Sequence, residues 1–551
     1  MSCVRYQLDI LMVHPCFLLR KYQHASGKRA FINSKRVSHH GAAYKRKKSW
    51  VEAVMTFKDL IKRLLPKGRF VRGVLALSTA TAIGQAIAIL TSPVITRLYS
   101  PEDFGVLAVY SSYLGIIIVI ASLRYELAIP LPRSDGSAAN LLVLSLINLA
   151  GVAAITGLVV VLFGEQIVRW SNTPYLISYL WLLPLGVFLG GAYQVFNYWA
   201  IRKQAFSRLA RTKIQQGAGS AVTKIALGLA QSGTIGLILG TIVGQAAGLA
   251  NLVLGAFRED GAALKRIRLL RVRWSARRYR NFPLYSTWSA LANTAGSRLP
   301  LILFSAMFSP VIAGYYMLAD KIIHMPMQLI GHSIGQVFHS SAAEARRDDR
   351  LEMASIKAFE TLVRVGTGPL IVFAVVAPDL FPLVFGSNWR QAGLYVQLLI
   401  PMIILQFVFS PTSSLFNVME LQRGNLVFQI LLLVARVLGI FLGAFQDDII
   451  LAIILYSSLS GMVYFGAIAW ILSSVGLRFW AWFKMLLKEV GIALLFASAL
   501  LLIKRSIPLN HEIITYWGNL CLLFAMLLFL ALLTIWRILP IVRGSDVQKK
   551  N

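Results

Sequence analysis

The sequence predicts an all-α polytopic membrane protein of about fourteen transmembrane helices, and three observations carry that prediction. The first is composition. Of 551 residues, 57% are hydrophobic and only 14% charged, and the mean hydropathy is +0.66. A soluble globular chain carries roughly 25% charged residues, so the solvent these side chains meet is largely lipid. The second is a series of apolar windows, each close to the roughly 20 residues that cross a bilayer as a helix. The third is the placement of the basic residues, which alternates between successive connections as an inside–outside topology requires. With 3 Cys in the chain, neither a disulfide framework nor a Cys-rich zinc pattern can be built.

Residues 1–54 hold 11 Lys and Arg, four of the 8 His and two of the 3 Cys, with no sustained apolar period. Neither a signal-peptide layout nor a metal-ligand spacing is present there. The segment reads as a basic, disordered extension ahead of a functional start at Met55, and a chain starting at Met55 is expected to be fully active. From that point Phe57, Leu60, Ile61, Leu64 and Leu65 recur at helical spacing, with Lys58, Lys62 and Arg63 off the stripe. This predicts a basic amphipathic helix over 55–70 lying in the inner membrane face.

A first lobe is expected over 71–257, with spans at 74–95, 104–123, 138–163, 176–200, 214–231 and 234–257. A basic connection follows over 258–280. A second lobe over 281–472 has spans at 284–307, 311–338, 358–377, 394–419, 425–444 and 449–472. Two more spans, 488–503 and 513–536, fill 473–540, and 541–551 is a cytoplasmic tail. The fifth span is interrupted by Gln215, Gln216 and Lys224, and the thirteenth is short, so twelve spans is the competing count.

The basic residues test this map. Of the 55 Lys and Arg, 45 fall in the connections that an inside amino terminus makes cytoplasmic, 5 in the opposite connections and 5 within spans. That asymmetry places both termini in the cytoplasm and requires an even number of spans. It also accounts for the net charge of +32 without nucleic acid. The stretch Lys265–Arg280 reads as a cytoplasmic connection lying on anionic lipid, in preference to an RNA-binding patch.

The chain repeats itself weakly. Ser100-Pro101 and Gly105 after the first span match Ser309-Pro310 and Gly314 after the seventh, 209 residues on. Phe196-Asn197 answers Phe416-Asn417, and Phe163-Gly164 answers Phe385-Gly386, at offsets of 220 and 222. Together these predict two homologous six-helix halves in parallel topology, a common transporter plan with the pathway between the halves. Here the residues carry a resemblance. Thr96-Arg-Leu-Tyr-Ser-Pro-Glu-Asp-Phe-Gly105, Leu123-Arg-Tyr-Glu-Leu-Ala-Ile-Pro-Leu-Pro-Arg-Ser-Asp135 and Ala313-Gly-Tyr-Tyr-Met-Leu-Ala319 with Gln336-Val-Phe338 resemble signatures of bacterial Wzx-type polysaccharide flippases. These belong to the multidrug/oligosaccharidyl-lipid/polysaccharide exporter superfamily, and the likeness covers roughly residues 70–540. It implies movement of an undecaprenyl-pyrophosphate-linked oligosaccharide from the cytoplasmic to the periplasmic leaflet by alternating access, for O-antigen or exopolysaccharide synthesis. It further implies a multi-pass protein of the bacterial inner membrane, proton or sodium antiport, and a glycan polymerase as a partner. The motif residues themselves also read as turns between spans.

Charges inside a membrane are costly and are functional candidates by default. The basic ones are Lys224, Arg298, Lys321, Arg364 and Arg436, expected to line a cationic cavity for the pyrophosphate, which Arg binds through charge-assisted bonds. Asp320, Glu360 and His324 are the coupling-ion candidates, with Glu126 near a membrane boundary. Glu360 and Arg364 are four apart and form a favourable helix ion pair, which competes with a cavity role. Asp320 and His324 are also four apart, and either pair or leave His324 packed and neutral. Arg298, beside Asn293, Thr294 and Gly296 at mid-span, is the strongest cavity candidate. Pro93 and Pro300 fall in the first span of each half and predict bent helices. Trp480 and Trp482 fit interfacial anchoring.

Two rival functions fit the sequence less well. A multidrug exporter of the same fold handling cationic drugs needs acids in its pathway, and the first span has none. A membrane glycan polymerase or glycosyltransferase needs a sizeable outer loop, and the longest outer connection is about 378–393. No paired carboxylates, P-loop or nucleophile triad is present, so no enzyme activity, cofactor or metal is expected.

Overall fold

The computed structural model describes residues 69–264, 267–326, 338, 342, 345–346 and 350–506. The extension 1–54, Met55, most of the amphipathic segment 55–70, the fourteenth span at 513–536, the tail 541–551, His332 and His339 lie outside the described residues. Among the described residues all regular structure is helical.

The first span is two helices, α1 (Arg69–Leu90) and α2 (Ser92–Leu98). Pro93 stands in the first turn of α2, where its missing N–H ends the ladder of α1. The break is bridged by the Thr91 hydroxyl, which donates to the Ile87 carbonyl at 2.7 Å. Next comes α3 (Pro101–Ala121), which begins at a reciprocal cap. The Ser100 hydroxyl accepts from the Asp103 N–H at 3.1 Å, and the Asp103 carboxylate accepts from the Ser100 N–H at 2.9 Å. Such a cap contributes about 1 kcal/mol. The first signature motif is therefore, in part, a helix start.

A 3₁₀ turn (Tyr125–Ala128) leads to α4 (Asp135–Trp170), α5 (Leu182–Arg202) and α6 (Phe206–Leu229). The sixth span is α7 (Thr234–Ala247) with α8 (Leu249–Leu264). The basic connection folds α9 (Leu269–Arg278) and a π-helical turn (Phe282–Ser286). The second set is α10 (Thr287–Met307), α11 (Pro310–Pro326), α12 (Leu351–Phe385), α13 (Arg390–Thr412), the short α14 (Leu415–Val418), α15 (Gln422–Ala444) and α16 (Ile449–Ser474). The thirteenth span is α17 (Phe479–Ser506).

Eight described helical segments are long and apolar enough to cross a membrane. The helices α5, α6, α10 and α17 are long but not among them. Of these, α6 and α10 carry Lys224 and Arg298.

The repeat is visible in the helices. The third helix of each set, α4 and α12, is unusually long, at 36 and 35 residues. The fourth helix of each set follows a 3₁₀ turn, Pro174–Tyr179 and Ser387–Trp389. The match is imperfect at one pair: Gly386 ends α12 with a φ of +108°, whereas Gly164 lies inside α4. Because α12 runs on through Pro378 and Pro382, the long connection expected over 378–393 is mostly helix. Its freedom from breakage comes from its neighbours: α12 packs along α13 and α17.

Connections rich in Lys and Arg gather at one end of the bundle, termed here the basic end. There Arg202 and Lys203 pair with Asp135 at 2.9 and 2.7 Å, and Lys203 also reaches Asp260 at 2.8 Å. On α9, Val272 packs into the basic-end cluster of the first set, while Leu270 and Trp274 are exposed. The Tyr125 hydroxyl donates to the Ala276 carbonyl at 3.1 Å and holds this connection in place.

The two sets of helices meet at the far end. There α3 crosses α11, the two helices that begin with the repeated motif. A Cβ on Gly105 would stand 1.7 Å from the Pro310 carbonyl oxygen, and one on Gly314 would stand 1.9 Å from the Pro101 carbonyl oxygen. The contact is reciprocal, backbone against backbone, and only glycine admits it. Around it the Arg97 guanidinium donates to the Leu383 carbonyl (2.9 Å) and the Trp389 indole to the Thr96 carbonyl (2.9 Å). Asn172 donates to the Phe308 carbonyl (3.2 Å) and Ser305 to the Ser171 carbonyl (2.8 Å). These bonds close the far end.

Trp482 departs from expectation. It is 0% exposed and packs against Phe359 and Phe465, so it is core and not an interfacial anchor. Trp480 is exposed, as an anchor requires.

Candidate functional site

Four of the five basic candidates stand on helices that converge between the two sets, and a cross-set contact locates two of them. Arg298 is exposed although it sits near the middle of α10. A Cβ on Gly115 of α3 would lie 3.3 Å from its Nε, so its side chain runs along the opposite set of helices and not into lipid. Lys321 of α11 is also exposed, and its ammonium donates to the Ser92 hydroxyl at 3.2 Å across the same gap. Ser92 is available there because α1 breaks at that point. Lys224 of α6 lies within electrostatic reach of Lys321. The α6 backbone is fixed beside them by Tyr99, whose hydroxyl donates to the Lys224 carbonyl at 2.7 Å.

Arg436 of α15 is reached from the other side. Pro300 has no N–H, so the carbonyl of Gly296, four residues earlier in α10, has no helical donor. Arg436 Nη1 donates to that carbonyl at 2.7 Å. This is why Pro300 is held inside a continuous α10, whereas Pro93 breaks its span. Arg436 Nη2 lies 3.4 Å from the Tyr464 hydroxyl. Tyr316 donates to Tyr456 at 2.9 Å in the same layer, and both rings are buried.

Asp320 is the acid of this group. His324 Nδ1 lies 3.2 Å from its carboxylate, and His324 Nε2 lies 3.3 Å from Gln406 of α13. Arg436 and Arg298 are within electrostatic reach of Asp320. The centre therefore holds four cations and one carboxylate, with a histidine on that carboxylate. Among the described residues, no group of three or more His, Cys, Asp or Glu gathers to hold a metal.

Residues 94–393 match the model of a family described as polysaccharide biosynthesis protein. The chain belongs to that family.

Two solved structures share the fold of this polysaccharide biosynthesis family member. One is the lipid II flippase MurJ in an inward closed conformation, at a TM-score of 0.63 and 11% identity, covering 85% of this chain and 100% of that one. Another is a multidrug resistance MATE family transporter of the MOP superfamily in an inward-facing conformation, at a TM-score of 0.58 and 15% identity, covering 73% and 99%. No curated protein sequence matches. The polytopic, two-set helical fold expected from the sequence is shared with both structures.

The fifth basic candidate of this family member stands elsewhere. Arg364 lies on the α12 face that packs against α17, ion-paired to Glu360 and 3.7 Å from Glu489 of α17. The i,i+4 pair anticipated from the spacing is present, and Glu489 is a second partner that spacing does not reveal. Glu489 is 8% exposed, so removing Arg364 takes a cation away from a nearly buried carboxylate. Arg364→Ala is expected to lower thermal stability by about 1–2 kcal/mol after discounting for the half-exposed arginine, and Glu489→Gln in the same chain is expected to recover most of it. Thermal unfolding of the purified single and double variants measures this. An unchanged melting temperature in Arg364→Ala contradicts it.

Glu126, in the connection at the basic end, is fully buried beside Arg124 at 3.6 Å. Ser122 donates to it, and so does Gln194 at 3.2 Å. Tyr198 also faces it. Burial pushes its carboxyl above the ordinary carboxylate value, against the pull of Ser122 and Arg124. The folded chain then holds this proton more tightly than the unfolded chain does. The resulting stabilisation is complete below the unfolded value and is lost as pH rises through the raised folded one. The melting temperature of Glu126→Gln relative to the parent is expected to rise as pH increases above the ordinary carboxylate range. A pH-independent difference contradicts this.

Sequence reasoning missed Ser92, Gly115, Gln406 and the tyrosines 316, 456 and 464, because it counted charges alone. One signal was present: Pro300 frees the Gly296 carbonyl, which needs a donor from a neighbouring helix.

Proposed function

We propose that the chain is a flippase that carries an undecaprenyl-pyrophosphate-linked oligosaccharide from the cytoplasmic to the periplasmic leaflet of the bacterial inner membrane. The basic end is cytoplasmic in this reading, which follows from the positive-inside rule. The observation that carries it is the inward-facing group of Arg298, Lys321 and Lys224, with Arg436 adjoining, in a family of polysaccharide biosynthesis proteins. A pyrophosphate leaving water for a bilayer meets a desolvation cost of many kcal/mol. A fixed cation about 5 Å away offsets about 3 kcal/mol of that at an effective dielectric near 20. Three or four such cations are what an anionic headgroup requires and what a cationic drug would be repelled by.

The closed far end fits loading from the cytoplasmic leaflet. Release then requires the α3–α11 contact to part. Of the two acids considered for coupling to a proton or sodium ion, Asp320 is preferred. It touches His324 and is in reach of Arg298 and Arg436, whereas Glu360 belongs to the α12–α17 ion pair. Protonation or ion binding at Asp320 changes the charge beside the substrate cations, which is the coupling an antiporter needs.

The test is mass spectrometry of lipid extracts from a strain lacking the protein. Accumulation of an undecaprenyl-pyrophosphate oligosaccharide, reversed by restoring the gene, is the expected result. An unchanged pool, in a strain with no second flippase that still makes the glycan, overturns the proposal.

A further inference from the structure

A cavity of about 250 Å³ opens among α10, α13, α15 and α16 of the second set. At ~30 Å³ per water it has room for about eight water molecules, the scale of one pyranose ring. Its wall is unlike the central group. Asn293, Ser410 and Gln429 line it, and their side chains have no hydrogen-bond partner among the described residues. Phe409, Phe428 and Tyr464 form an aromatic side, with ring centroids 4.5 Å apart for the first two and 5.5 Å from Phe409 to Tyr464. Arg436 is its cation. Two guanidinium nitrogens are engaged by Gly296 and Tyr464, while Nε is buried with no partner. The carboxylate of Asp320, though in electrostatic reach of Arg436, is turned to His324 at 3.2 Å.

We propose that this cavity is a subsite for one carboxylate-bearing sugar of the lipid-linked oligosaccharide. This rests on the flippase reading and goes beyond it by naming a substrate class. Each wall component matches a part of such a ring. Planar amides and a free hydroxyl meet vicinal hydroxyls, each being both donor and acceptor. Aromatic faces meet the apolar C–H face of the ring. A guanidinium whose two terminal nitrogens each carry a second N–H meets a carboxylate. A pyrophosphate, carrying more charge and no apolar face, fits the cluster of Arg298, Lys321 and Lys224 better than this single-cation, aromatic-sided cavity.

The test uses the purified full-length protein with sodium glucuronate, glucose and inorganic pyrophosphate as probes, followed by saturation-transfer NMR and titration. Glucuronate is expected to bind about 10-fold more tightly than glucose, the value of one charged hydrogen bond. Arg436→Gln is expected to erase that advantage. Ser410→Phe, which fills the cavity, is expected to remove both sugars and leave pyrophosphate binding in place. Equal binding of glucose and glucuronate overturns the acidic-sugar assignment. Glucuronate binding that resists both variants and is displaced by pyrophosphate overturns the location. Pyrophosphate binding without any sugar binding overturns the subsite and leaves the flippase reading standing, whereas failure of that reading shows separately as an unchanged lipid-linked pool.

Discussion

Replacing Gly105 or Gly314 with alanine is expected to abolish export while the protein still reaches the membrane. Each added methyl meets a backbone oxygen, at 1.7 Å for Gly105 and 1.9 Å for Gly314, so no side chain can turn aside to relieve it. The crossing of α3 and α11 must open. Overpacking costs about 1–3 kcal/mol even where side chains can yield, and here none can. A penalty of about 3 kcal/mol on the closed far end alone shifts its population roughly 100-fold against the open state. The readout is a disulfide between Asn172→Cys and Phe308→Cys, positions joined by a 3.2 Å hydrogen bond across the closed end. The disulfide is expected to form with Gly105 in place and to be lost in Gly105→Ala. Full export by Gly105→Ala with the cross-link retained contradicts the role given to this contact.

The second large effect is expected from the central cations. Arg298→Ala combined with Lys321→Ala is expected to slow export about 100-fold at matched protein level, on the basis of roughly 1.5–3 kcal/mol per charged hydrogen bond lost. Neither residue has a carboxylate within ion-pair distance among the described residues, so their removal leaves no stranded partner. Arg364→Ala sets the comparison. Its partners are Glu360 and Glu489, so its loss is expected to cost stability with little effect on the export rate of the protein that survives. Normal export by the Arg298/Lys321 pair, or an Arg364 effect on rate at undiminished stability, contradicts the central placement.

The helices were legible in the sequence because lipid imposes a simple rule on them: long apolar runs, ended by polar connections. The basic residues added direction, since the positive-inside bias reports which ends lie together. Distances across the bundle were not legible. Glu360 and Arg364 could be paired from their spacing, but Glu489 is more than a hundred residues away and nothing local points to it. The weak repeat of Ser-Pro and Gly was visible as similarity. Only the structure shows that the two copies pack on each other and that each glycine is required by the other copy's proline carbonyl. Trp482 was misread because an aromatic residue near a span end has the same sequence signature whether it faces headgroups or a core. The cavity around Arg436 was hidden for a related reason. Its amides, hydroxyls and aromatic rings come from four helices and carry no charge pattern.

The most direct test of the central claim is transport by the purified protein. The full-length chain would be reconstituted in liposomes with an undecaprenyl-pyrophosphate oligosaccharide, and the sugar at the outer leaflet cleaved by an enzyme that cannot enter. The protein is expected to raise the cleavable fraction above the half exposed in empty liposomes, and Arg298→Ala with Lys321→Ala is expected to return it to that level. A cleavable fraction that the protein leaves unchanged, under conditions where the same preparation binds the lipid, would contradict the claim.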